Sequence, residues 1–93
     1  MKPKFLPKLD VSIDERTGTI RSAYLRIRRG TVHETREISA GSAFADYDKS
    51  GLLLGIELLG PCDVKVLDRL SRKEPDKVKR FVLGSPPREL VSA

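Results

Sequence analysis

The sequence has 93 residues but only one cysteine (Cys62), one histidine (His33), no tryptophan, and five aromatic residues in all. A single thiol cannot close an intramolecular disulfide, which excludes a disulfide-stapled scaffold. One Cys and one His also fall short of the four N/S ligands of a structural zinc site. The longest apolar run, Leu52 to Leu59, is interrupted by Gly55 and Glu57 and is too short to span a bilayer. Lys2, Lys4 and Lys8 imitate the charged start of a leader peptide, yet Asp10, Asp14 and Glu15 arrive before any apolar stretch. A cytoplasmic location is therefore the expectation. There is no phosphate-binding glycine loop, nucleophile elbow or zinc-protease motif. The length leaves no room for a complete dinucleotide-binding fold or an eightfold barrel.

What remains is a globular balance, with 39% hydrophobic and 33% charged residues. A chain of this length buries roughly two-thirds of its unfolded surface, enough for one modest core. The net charge of +5 is unevenly spread. Residues 1–30 hold eight basic and three acidic side chains, residues 31–60 two and five, and residues 61–93 eight and five. Both ends are thus basic around an acidic middle.

Period-2 alternation dominates the first sixty residues. Leu9, Val11 and Ile13 alternate with Asp10, Ser12 and Asp14, the pattern of a half-buried strand. After a turn at Arg16-Thr17-Gly18, a second strand places Ala23, Leu25 and Ile27 on one face and Tyr24, Arg26 and Arg28 on the other. Arg29-Gly30 leads into a β-branched stretch, Thr31 to Ile38, and Ser42 to Asp48 forms a fourth strand. Asp48-Lys49-Ser50-Gly51 is a turn signal, and Leu52 to Leu59 follows. In that last strand Leu52, Leu54, Ile56 and Leu58 share a face, while Leu53 and Leu59 add apolar surface to the other. Such a strand belongs inside a sheet or between a sheet and a partner.

Gly60-Pro61 ends the β region, and the periodicity changes. Asp63 is placed as an N-cap for a helix carrying Val64, Leu67 and Leu70. Pro75 stops or kinks that helix, and Val78, Phe81 and Val82 mark a second short one ending near Gly84. The expectation is an α+β fold: an antiparallel β-meander of about five strands, followed by one or two short C-terminal helices packed on one face. Residues 1–8 read as an extended N-terminal arm, 9–84 as the domain and 85–93 as a Pro-containing tail, mobile or docked on a neighbour.

The stretch from Asp46 to Glu57 spells the calcium loop of an EF-hand, with oxygen ligands at its first, third and fifth places, Gly51 sixth and Glu57 twelfth. Its surroundings argue against that reading. Ala40-Gly41-Ser42-Ala43 is poor helix sequence, and Gly60-Pro61 leaves no space for an exiting helix. A hairpin turn at Asp48 to Gly51 accounts for the same residues. Asp46, Asp48 and Glu57 as an acid/base pair, or Cys62 with His33 as a nucleophile pair, lack local support. No catalytic residue, metal or cofactor is assigned.

Two surfaces remain as candidates. Leu53 and Leu59 are candidate interface residues on the second face of the apolar strand. Tyr24, Arg26, Arg28 and Arg29 form a candidate nucleic-acid surface, since cations beside an aromatic can bind phosphates and stack a base. The basic helices, with Arg69, Arg72, Lys73, Lys77, Lys79 and Arg80, would extend it.

The stretches Ala23 to Ile27, Thr35 to Ile38, Ala45 to Gly51 and Leu54 to Leu59 resemble a family of small bacterial proteins of unknown function. Its members carry a YIRL…T.E…VDYD.DG.LVGIEIL pattern, matched here over residues 23–61. The resemblance implies a short β-meander with a helix, an oligomeric habit and an occasional place beside toxin-like partners. It brings no catalytic residues, and it does not extend to the N-terminal arm or the basic, Pro-containing C-terminal third. The functional expectation is a non-enzymatic protein-interaction or regulatory module, a homodimer or higher homo-oligomer, with a small basic nucleic-acid-binding protein as the alternative.

Overall fold

The computed structural model describes residues 4–92. Five antiparallel strands, β1 (Lys8–Ile13), β2 (Ile20–Arg26), β3 (Glu34–Ser39), β4 (Ala43–Tyr47) and β5 (Leu53–Leu58), form one sheet. Two helices follow, α1 (Val64–Leu70) and α2 (Asp76–Gly84). The α+β architecture read from the sequence is thus the one observed. The strand order is β1-β2-β5-β4-β3, so the connection from β2 to β3 crosses to the far edge and β5 lies at the centre.

Local chemistry fixes most boundaries. Gly18 and Gly51 turn the chain at φ +73° and +87°, a region that glycine enters without a Cβ penalty. In the β4–β5 turn, the Asp48 carboxylate accepts from the Ser50 and Leu52 amides, both at 2.9 Å, and from the Ser50 hydroxyl at 2.7 Å. These bonds, led by that of the Ser50 hydroxyl, hold the Asp48 carboxyl below its ordinary pKa. Strands flank the calcium-like loop on both sides. Asp63 caps α1 through the Lys65 amide at 2.9 Å, and Pro75 precedes the first residue of α2.

The helices lie over one face of the sheet. Leu67 of α1 and Val78 and Val82 of α2 pack with Ala23, Leu25, Ala45, Ile56 and Leu58 in a single core. The arm and tail are not appendages. Phe5 meets Phe81 edge to face at 5.8 Å between centroids, and the Leu6 amide donates to the Ile27 carbonyl at 2.8 Å. At the other end a 3-10 turn (Arg88–Leu90) buries Leu90 in the core, and β7 (Val91–Ser92) pairs in parallel with β6 (Cys62–Asp63). The start of the arm, residues 1–3, and residue 93 lie outside the described residues.

Candidate functional site

At the start of β5, the ladder departs from the alternation expected of the sequence. Asp46 pairs with Gly55, but the next residue, Tyr47, pairs with Leu53, so Leu54 is passed over as a bulge. Its carbonyl accepts from two successive amides, Ile27 at 2.8 Å and Arg28 at 3.2 Å. Each strand therefore loses its two-residue period here. Leu53 joins the buried core instead of facing outward, which removes it as an interface residue. Leu59 stays 46% exposed.

The same irregularity turns Arg28 inward. Its guanidinium donates to the Leu53 carbonyl at 2.5 Å and to Glu74 at 2.7 Å, and only 7% of its side chain is exposed. A guanidinium so enclosed cannot meet a nucleic acid, so Arg28 leaves the expected surface. Arg29 is exposed, whereas Arg26 is half-buried and its Nε finds no hydrogen-bond partner among the described residues.

Tyr24 is held too. Its ring lies diagonally over Gly55, where a Cβ would overlap the hydroxyl and ring, and its hydroxyl donates to Asp46 at 2.8 Å. The Thr35 hydroxyl donates to the other Asp46 oxygen at 2.6 Å, so side chains of β2 and β3 meet at one carboxylate of β4, the Tyr24 ring reaching it across β5. Burial first, then the bond and charge of Asp46, push the phenol far above its ordinary pKa. A ring pinned across a glycine is not free to stack a base. Gly55→Ala is expected to destabilise the fold by about 1–2 kcal/mol, through the displaced ring and the lost hydrogen bond. In a Tyr24→Ala background, urea denaturation should show the same substitution neutral or stabilising, because alanine costs less strand entropy than glycine.

The catalytic alternatives are spatially separated. Cys62 follows the C-terminal end of β5, while the His33 amide bonds Tyr47 beside its N-terminal end. A six-residue strand, roughly 20 Å, lies between them. Burial, with Asp63 adding to it, raises the Cys62 thiol above its ordinary pKa, the opposite of nucleophile activation. Asp46 is occupied by Tyr24 and Thr35, and Asp48 by its own turn.

Two surface features are left with distinctive chemistry. The first is the open edge of β1. By register Leu9, Val11 and Ile13 share the helix-side face with Leu25, Ala23 and Ile20, yet they stay outside the core at 39%, 39% and 54% exposure. Alternation revealed their common face but not that the helical layer stops short of them. The opposite edge, β3, is guarded: Glu34 and Arg36 pair through two bonds, of 2.9 and 3.1 Å, and Arg36 lies 4.6 Å above the Tyr47 ring. The second feature is a cleft between the β4–β5 turn and the end of α1, which the sequence reading missed because its walls come from segments some twenty residues apart. In comparisons with family models, curated proteins and solved structures, no match to the chain is found.

Proposed function

We propose that this chain is a non-enzymatic interaction module that self-associates through the edge of β1. The observation that carries this reading is the edge strand itself, whose outer backbone has no partner strand among the described residues and which carries three exposed apolar side chains in a row. Exposed apolar rows on an open edge favour strand addition, in which main-chain bonds supply affinity and side chains set register.

A second copy is the occupant that complements the strand. Antiparallel pairing about a two-fold axis at Val11 sets Leu9 against Ile13 of the partner subunit and Lys8 against Asp14 of the partner subunit. The apolar row then continues across the axis, and unlike charges meet at its ends. A homodimer is thus supported by the same residues that form the edge.

Sedimentation or light scattering should give twice the chain mass. Val11→Lys places like charges opposite each other at the axis, which is expected to weaken association at least about a hundredfold while leaving circular dichroism unchanged. A monomer at high concentration, or a dimer indifferent to Val11→Lys, would refute the reading.

A further inference from the structure

The geometry points to a binding groove for an acidic peptide along the corner between α1 and α2, a site separate from the β1 edge. Two depressions adjoin here. One, of about 420 Å³, lies between the β4–β5 turn and the end of α1, and the other, of about 240 Å³, lies between Phe5 and the start of α2. Leu52, Lys73 and Glu74 line both, so the two run into one another.

The groove combines an apolar floor with a cationic rim. Leu52, Leu70 and Phe5 supply the apolar lining. Arg69, Arg72 and Lys73 stand along the first depression and Lys77 along the second, and no ion pair engages any of these four among the described residues. The one carboxylate in the lining, Glu74, is already bound by Arg28. Net positive potential is therefore focused in a concave site with low-dielectric walls.

This chemistry fits an extended segment with carboxylate side chains and apolar residues between them. A single-stranded nucleic acid fits less well, because stacking of its bases beside the cations uses free aromatic faces. The Phe5 ring is covered by Phe81 and approached by Lys77 at 5.8 Å, and Arg36 covers Tyr47. Volumes of this size suit side chains inserting from a peptide, whose apolar groups gain from desolvation while the rim reads the charge.

The test is fluorescence anisotropy with a labelled peptide of alternating Glu and Leu, alongside an alternating Lys and Leu peptide and a single-stranded oligonucleotide. The acidic peptide should bind, more weakly as salt rises, and the basic peptide should not. Paired reversal by Arg72→Glu and Lys73→Glu should cost at least about tenfold in affinity, whereas Arg21→Glu on β2 should cost little. Val11→Lys should leave peptide binding intact, which keeps this site distinguishable from self-association. No binding at low salt, tighter binding of the oligonucleotide, or indifference to the paired reversal in a folded variant would overturn the proposal.

Discussion

Glu74→Ala is expected to cost about 3 kcal/mol of stability, far more than loss of a surface ion pair. The reason is what it leaves behind. The Arg28 side chain is 7% exposed and that of Glu74 15%, and their 2.7 Å contact joins the end of β2 to the link between the helices. Removing the carboxylate strands a guanidinium in a low-dielectric site with the Leu53 carbonyl as its remaining partner. An exposed pair such as Lys8 with Asp10, at 3.7 Å, contributes less than about 1 kcal/mol and is screened by salt. Urea denaturation in low and high salt separates the cases: the Glu74→Ala deficit should persist as ionic strength rises. Joint replacement, Arg28→Met with Glu74→Leu, should recover much of the loss, because neither charge is then buried. A deficit below about 1 kcal/mol would mean the pair is solvated in solution.

That ion pair also shows where the sequence stops being readable. Its two members are separated by 46 positions, and neither is marked locally as buried. Arg28 reads as the outward residue of an alternating strand, and it turns inward because the ladder slips at Leu54. The slip depends on which strand lies beside β5, information that periodicity within one segment does not hold. The same slip moves Leu53 from the outer face to the core.

By contrast, features set within a few residues were legible. The Asp48 turn and the Asp63 cap each depend on bonds inside one short stretch, whereas Pro75, read as the stop of the first helix, stands at the N-cap of α2 after α1 has already ended at Leu70. The central place of β5 was legible as well, since Leu54, Ile56 and Leu58 leave few other sites for so apolar a strand. Tyr24 was picked out for the right face and the wrong freedom: its exposure depends on Gly55 and Asp46, which sit on two other strands. The β1 edge was half legible. Its apolar row can be read from alternation, whereas the missing helical cover depends on where α1 and α2 come to rest.

Leu90→Ala is expected to destabilise the chain by about 3 kcal/mol and to lower the melting temperature by on the order of 15 °C. Leu90 is 3% exposed, although it lies in a segment that composition marks as a tail. It is held by a single turn, with its amide donating to the Pro87 carbonyl at 3.0 Å, and beyond it the short β6–β7 pairing and the half-buried Val91 hold the described chain end. With so few other contacts, truncation should release the whole terminal segment rather than leave a closed cavity. Cys62 provides a direct readout of that release. It pairs with Val91, is 1% exposed, and has a thiol pKa raised by burial, so alkylation of the native chain should be slow. In Leu90→Ala the labelling rate should rise by more than the loss of global stability accounts for, because local opening then suffices to expose the thiol. Arg88→Ala, in the same turn but exposed, should change stability by less than about 0.5 kcal/mol and leave labelling unaltered. If Leu90→Ala behaved like Arg88→Ala, the segment after α2 would not belong to the core and would have to be treated as a surface extension.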